Sequence, residues 1–96
     1  MSKLPLLTEA ELEAALLELT DWKIEDDGKW LARKRLFPTF MEAIAFVNKV
    51  AAVAEDDNHH PFIGIDYRRV TIRLTTWHSG GLTALDLGSA KAYDRL

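Results

Sequence analysis

Three histidines, His59, His60 and His78, are the residues of this sequence best suited to proton transfer. The free imidazole titrates closer to neutral pH than any other side chain, so it can serve as an acid or as a base. Pro61 follows the first two and favours an extended conformation at His60. The sequence has no cysteine, which excludes thiolate nucleophiles, disulfides and cysteine-ligated zinc. Acid–base chemistry at a histidine cluster is therefore the first hypothesis.

Other uses of these residues stay open. Scattered histidines are common on the surfaces of small domains. A zinc site would need His59, His78 and a carboxylate such as Asp56, although neighbouring residues of a strand, such as His59 and His60, point to opposite sides. Ser79 stands beside His78 as a candidate nucleophile, but it lacks the G-x-S-x-G surroundings of a nucleophile elbow.

Caps, turn residues and apolar periodicity predict the elements that carry these residues. Thr8, Thr39 and Thr83 are the expected N-caps, the first two in capping boxes, and Asp86 falls in the first turn of the last helix, where a carboxylate suits the helix dipole. The pattern predicts helices over 9–19, 40–56 and 84–94, strands over 22–26 and 29–37 joined by a type I′ turn at Asp27-Gly28, and two further strands marked by alternating apolar residues at 63–67 and 70–74. The order αββαββα predicts an α+β fold, a four-stranded antiparallel sheet with helices packed on one face.

The last hairpin is expected to assemble the site. Only Arg68-Arg69 leaves room for a turn, so Tyr67 should face Val70, which puts the apolar residues of both strands on one sheet face. The same register would set His60 opposite Trp77 and His59 opposite His78. The open end of this hairpin would then also collect Gly80-Gly81, Thr83 and Asp86. Elsewhere, the run Arg33-Lys34-Arg35 reads as a solvated strand face, and Trp22 and Trp30 read as packing residues of the first hairpin.

The composition is that of an ordinary globular protein. The chain has 96 residues, 48% of them hydrophobic and 28% charged, which predicts one domain over 1–96. A net charge of -3 gives no basic footprint for nucleic acid. The first residues lack the apolar core of a signal peptide, and no apolar run could cross a bilayer, so a cytoplasmic protein without membrane contact is expected. So small a core favours self-association, as a homodimer or homotetramer.

The segment from Glu55 to Pro61, with its His-His-Pro core, together with Tyr67, Trp77 and Asp86 further along, resembles the signature of the pterin-4a-carbinolamine dehydratases. Flanking residues extend the resemblance over about 22–95. The family fold, ββαββα with an added first helix, is the order derived above. One position departs from the common pattern, since the family usually has a third histidine where this chain has Trp77, although tryptophan also occurs there.

The resemblance implies dehydration of 4a-hydroxytetrahydropterin to quinonoid dihydropterin, which recycles the cofactor of aromatic amino acid hydroxylases and needs no metal or organic cofactor. It implies catalytic roles for His59, His60 and Asp86. The expected substrate contacts are Glu55, Pro61, Trp77, His78 and Thr83. Trp77 could stack on the flat pterin ring in place of proton transfer. A binding module is the alternative, because the family includes a dimerisation cofactor of a transcription factor and relatives that resemble Rubisco assembly factors.

Overall fold

The computed structural model describes residues 3–96, and its elements follow the predicted order. They are α1 (Glu9–Glu18), β1 (Lys23–Glu25), β2 (Trp30–Leu36), α2 (Phe40–Asp57), β3 (Phe62–Asp66), β4 (Arg69–Leu74), a 3₁₀ helix (Trp77–Ser79) and α3 (Ala84–Asp94). Each α-helix begins after the threonine expected as its N-cap. Complete capping boxes form at Thr8 and Thr83, whereas the Glu42 carboxylate accepts from the Thr39 hydroxyl instead of the Thr39 N–H.

The four strands form one antiparallel sheet in the order β1-β2-β4-β3, which confirms the predicted α+β class. Val70, Ile72 and Leu74 of β4 point to the helix-covered face and are at most 3% exposed. They join one core cluster with residues of both long helices, Ala43, Phe46, Val50, Ala90 and Tyr93. Burial of this apolar surface, at about 25 cal/mol per Å², is the main force that holds the helices on the sheet.

The first hairpin turns as predicted. The Lys29 N–H donates to the Asp26 carbonyl oxygen at 3.2 Å, and the central residues Asp27 and Gly28 have φ values of 57° and 85°. Positive φ at both central residues is what a type I′ turn requires. Asp26 also has a positive φ, 52°, and the regular strand pairing ends at Glu25 and Trp30.

The register of the second hairpin differs from the prediction by two residues. Asp66 pairs with Arg69 and Ile63 with Ile72, so Tyr67 and Arg68 form the turn. Tyr67 adopts a left-handed φ of 52°, a conformation that its place in an alternating apolar pattern did not suggest. Because a strand has a side-chain period of two, a shift of two residues leaves the paired side chains on their predicted faces while it changes all the partners. Tyr67 itself leaves the apolar face and lies exposed in the turn.

This shift also overturns the expected partners of the histidines. Strand β4 ends at Leu74, and Thr76 then pairs with Gly81 in an isolated bridge. The chain between them closes into the 3₁₀ helix Trp77–Ser79. Trp77 therefore does not lie opposite His60, and His78 does not lie opposite His59.

The basic run of β2 is not a solvated face. Arg33 pairs with Ile72 on the helix-covered side of the sheet, and its guanidinium forms a salt bridge with Asp94 of α3. Arg35 lies on the same side and stacks over the Phe46 ring, 4.8 Å from its centroid. Only Lys34 is exposed, because alternation sends it to the opposite face.

The expected packing role of Trp22 is confirmed. This residue precedes β1 and is 3% exposed, and its indole Nε1 donates to Asp94 Oδ1 at 2.9 Å. Within residues 3–96, no helix is long and apolar enough to cross a membrane.

Candidate functional site

A buried histidine–aspartate pair lies where α2 ends and α3 begins. His59 Nε2 is 2.7 Å from Asp86 Oδ1, and the side chains are 11% and 0% exposed. Asn58 ends α2 in a left-handed conformation, with φ of 50°, which turns the chain back so that the His59 N–H donates to the Ala54 carbonyl oxygen at 3.2 Å. The backbone hydrogen bond at the end of α2 thus fixes the position of His59.

Asp86 is held by the start of its own helix. Its Oδ2 accepts the Thr83 N–H at 2.9 Å, the capping-box bond, and also lies 2.7 Å from Thr76 Oγ1. A carboxylate buried this completely is costly unless polar partners surround it. The His59 ring on Oδ1 and two donors on Oδ2 supply those partners. The pair therefore resembles the carboxylate–histidine arrangement that fixes the orientation of a catalytic imidazole.

The second histidine has a different environment. His60 Nε2 lies 2.5 Å from Glu55 Oε2, and the side chains of the pair are 55% and 78% exposed. Glu55 stands in the last turn of α2, and the half-buried Pro61 leads from His60 into β3. An exposed pair of this kind adds little stability, at most about 1 kcal/mol, but it leaves the imidazole accessible to a ligand.

The predicted aromatic contact lies on the surface. Trp77 is 76% exposed and touches Trp30 edge to face, with ring centroids 5.5 Å apart. His78, next in the 3₁₀ helix, is also exposed. Thr83, by contrast, is fully buried, and its N–H and hydroxyl take part in the hydrogen bonds around Asp86.

Thr76 is a residue that sequence reasoning did not assign to the site. It is 6% exposed, and its hydroxyl lies within hydrogen-bond distance of Asp86 and of Thr83. Thr76 is one of the flanking residues that resemble the family, but the local sequence pattern did not indicate this role, because its partners are Asp86 of α3 and the N-cap Thr83.

Tyr93 lies in the core close to the site. Burial raises the pKa of Tyr93 to about 12, with smaller upward contributions from Asp57 and Asp86, while Ser89 opposes the shift. Ser89 lies near the Tyr93 hydroxyl, but neither it nor any other group within residues 3–96 forms a hydrogen bond of acceptable geometry with that hydroxyl. The Tyr93 hydroxyl is thus buried without a hydrogen bond from the described residues.

Comparison with known proteins shows the family of this chain. The family model described as pterin 4 alpha carbinolamine dehydratase matches residues 5–96. This chain belongs to that family. A provisionally named pterin-4-alpha-carbinolamine dehydratase of Mycobacterium leprae is 46% identical over 90 residues, which are 94% of each chain. A provisionally named dehydratase of Picosynechococcus is 42% identical over 90 residues, 94% of this chain and 96% of the relative.

Two solved structures share the dehydratase fold. One is described as a transcriptional coactivator/pterin dehydratase from Brucella melitensis, with a TM-score of 0.90, 33% identity, and coverage of 95% of this chain and 97% of the other. The second, a pterin dehydratase-like protein described as a RuBisCO assembly factor of the alpha-carboxysome, has a TM-score of 0.69 and 22% identity, over 78% of this chain and 87% of the other. The second likeness shows the fold alone.

Within residues 3–96, the three ligands of the zinc alternative do not come together. Among the described residues, no three histidine, aspartate or glutamate side chains gather as a metal ion would need. His59 forms a hydrogen bond with Asp86, and His78 lies exposed in the 3₁₀ helix. Asp56, the third proposed ligand, is exposed near the end of α2.

Proposed function

We propose that this chain catalyses the dehydration of 4a-hydroxytetrahydropterin to quinonoid dihydropterin by histidine acid–base catalysis, recycling the pterin of aromatic amino acid hydroxylases. The observation that carries the proposal is the buried His59–Asp86 pair, with 2.7 Å between Nε2 and Oδ1, in a chain of the dehydratase family. The reaction removes a proton from N5 and the hydroxyl from C4a, and the C4a=N5 bond forms as water leaves.

His59 is the proposed base and Asp86 its orienting carboxylate. Asp86 holds one ring nitrogen, which leaves the other for a proton from substrate. His60, accessible and paired with Glu55, is the proposed second proton-transfer group, which assists departure of the hydroxyl. A well-placed acid or base contributes typically about 10²–10⁴-fold, which is sufficient for a reaction that also proceeds unaided.

Stopped-flow measurement of carbinolamine dehydration, without added metal, tests the proposal. We expect the protein to exceed the buffer rate, and His59→Ala to abolish most of the excess. A rate equal to buffer, together with no pterin binding by calorimetry, would contradict the enzymatic function. The same result would favour a non-catalytic binding module, a reading motivated by the coactivator and assembly-factor descriptions of the two structural neighbours.

Trp77 is the proposed stacking surface for the pterin, with His78 and Pro61 as further predicted contacts. Thr83 was also expected to contact the substrate, but it is fully buried, so its proposed role is to support Asp86. An indole cannot accept a proton, but its exposed face can cover a flat ring, worth about 0.5–1.5 kcal/mol beyond burial of area. Trp77→Ala should weaken pterin binding with little change in melting temperature.

Tyr67→Ala is the matched control for Trp77→Ala, because Tyr67 is also exposed but lies at the opposite end of the hairpin. An unchanged pterin dissociation constant in Trp77→Ala would contradict stacking. Trp77→His, which introduces the commoner family residue, should keep or raise activity.

We further propose that the protein is a cytoplasmic homodimer or homotetramer that pairs through β3. The sheet order leaves β3 at an edge, with one row of N–H and C=O groups free for a second copy, and Ile65 on it is 46% exposed. Ile65→Lys should lower the mass measured by light scattering, since a charge on an edge strand opposes pairing. A monomeric wild-type mass at micromolar concentration would contradict this proposal.

A further inference from the structure

We propose that Thr76 is a positioning residue for the His59–Asp86 pair and acts through a buried chain of hydroxyl groups. The hydroxyl of Thr76 lies between Asp86 Oδ2, at 2.7 Å, and Thr83 Oγ1, at 2.8 Å. Its effect on turnover depends on the proposed dehydration, whereas its effect on the His59 ring does not.

The hydrogen-bonding inventory sets the direction of this chain. An ionised carboxylate can only accept, so the single hydroxyl hydrogen of Thr76 goes to Asp86. Thr83 must then donate its own hydroxyl hydrogen to Thr76 Oγ1. The Thr83 oxygen in turn accepts the Leu85 N–H at 3.3 Å. The chain thus runs from the first turn of α3 through two hydroxyls to the carboxylate, and each bond polarises the next.

The Asp86 carboxylate decides which nitrogen of His59 carries the proton, and its donors hold it in place to do so. Asp86 Oδ2 already accepts the Thr76 hydroxyl and the Thr83 N–H, so Oδ1 is the atom left for the ring. His59 Nε2 must donate to it, and a neutral imidazole has only one N–H. The lone pair therefore stays on Nδ1, which under the proposed function is the atom that takes the N5 proton.

Thr76 contributes to this arrangement from outside α3. Its own position is fixed by a backbone bond in which the Thr76 N–H donates to the Gly81 carbonyl oxygen at 2.9 Å. Thr83 and Asp86 belong to one helix start and would move together, whereas Thr76 holds the carboxylate from the end of β4. Without the Thr76 hydroxyl, Oδ2 keeps only the Thr83 N–H, and the carboxylate is free to rotate away from the His59 ring.

The neighbouring threonine supplies a matched control. Thr75 is 7% exposed, nearly the same as Thr76, but its hydroxyl donates to the Lys29 carbonyl oxygen at 2.6 Å, away from Asp86. Thr76→Val and Thr75→Val therefore remove one buried hydroxyl each, at almost equal burial. Thr76→Ser keeps the hydroxyl and should behave as the wild type.

The experiment measures the side-chain nitrogen shifts of His59 in ¹⁵N-labelled protein, with the ring neutral, and turnover in parallel. We expect the Nε2–H tautomer in wild type, Thr76→Ser and Thr75→Val, and a mixture of tautomers in Thr76→Val. Because a hydrogen bond to a charged group is lost, kcat of Thr76→Val should fall about ten-fold while KM changes little.

Unchanged His59 nitrogen shifts in folded Thr76→Val would overturn the role of Thr76, and so would an equal loss of kcat in Thr75→Val. If Thr76→Val does not fold, hydroxyl exchange in the wild type decides. A slowly exchanging Thr76 hydroxyl proton supports the chain of bonds, and rapid exchange with water overturns it. A Thr76-dependent tautomer in a protein without dehydratase activity would refute the proposed function and support the positioning role.

Discussion

Replacement of Asp86 by asparagine separates the stability of the site from its chemistry. The asparagine carbonyl oxygen can take the place of Oδ2 and still accept the Thr76 hydroxyl and the Thr83 N–H. The amide NH₂ group then faces His59 Nε2, where a donor meets a donor. His59 can accept from the amide only if its proton moves to Nδ1, which removes the lone pair from that atom.

The expected cost in stability is modest. Hydrogen bonds to a charged group contribute about 1.5–3 kcal/mol each, against about 1 kcal/mol for neutral pairs. Two such bonds on Asp86 become neutral, while burial of an amide costs less than burial of a carboxylate. We expect the free energy of unfolding to fall by about 1–2 kcal/mol. Asp86→Ala should lose more, roughly 3–6 kcal/mol, because three donors are left without an acceptor.

The expected cost in turnover is much larger. In serine proteases, replacement of the orienting aspartate by asparagine leaves the geometry intact but gives the wrong tautomer and lowers kcat about 10⁴-fold. Dehydration needs less assistance, and general acid–base catalysis contributes about 10²–10⁴-fold, so we expect Asp86→Asn to lose about 10²-fold or more. Stopped-flow rates per folded molecule, with urea denaturation on the same samples, measure both quantities.

Asp56→Asn is the control, since it makes the same substitution on an exposed carboxylate near the end of α2. It should leave both stability and turnover close to wild type. Turnover of Asp86→Asn within about three-fold of wild type, in protein that is folded, would refute the argument that Asp86 sets the tautomer of His59.

Three further predictions concern the core. Tyr93→Phe should cost little stability at neutral pH, because the hydroxyl has no partner within the described residues. Since folding raises the pKa of Tyr93 from 10.0 to about 12, the wild type should lose stability as the pH rises from about 10 to 12. Urea denaturation at alkaline pH should show a smaller loss for the variant. Trp22→Phe removes the bond to Asp94 and should lower the free energy of unfolding by about 2 kcal/mol, whereas a loss below 0.5 kcal/mol would contradict a role for that bond. Leu31 is fully buried in the central strand β2, so Leu31→Ala should lower the free energy of unfolding, measured by chemical denaturation, by about 2–5 kcal/mol. A smaller loss would mean that the core relaxes to fill the cavity left by the substitution.

Much of the fold was predictable because its signals are local. The threonine caps and the apolar spacing set α2 and α3 to within a residue of their predicted bounds. Asp27-Gly28 turned the first hairpin as expected. The faces of the paired residues in the second hairpin were also right, because face depends only on whether a position is odd or even. Tyr67 was the exception, since it lies in the turn.

The pairing partners were not predictable in the same way. Nothing in the sequence forbids Arg68-Arg69 as the turn, and the structure instead places Tyr67 in a left-handed conformation. Both turns fit the same alternating apolar pattern, so the local sequence does not distinguish them. The error of two residues then led to a wrong partner for each of the histidines.

By itself, the sequence determined the order of elements and the helix ends, since these depend on neighbours within one turn or strand. It also carried the family signature around His59, His60 and Asp86, since a signature is a matter of residue types and spacing. Tertiary structure alone decided the surroundings of that signature. Arg33 lies beneath the helices, where it pairs with Asp94, 61 residues away. The Thr76 hydroxyl donates to the carboxylate of Asp86 in α3. Hydrogen bonds between distant elements exist only once the core has packed, so their partners cannot be read from local periodicity.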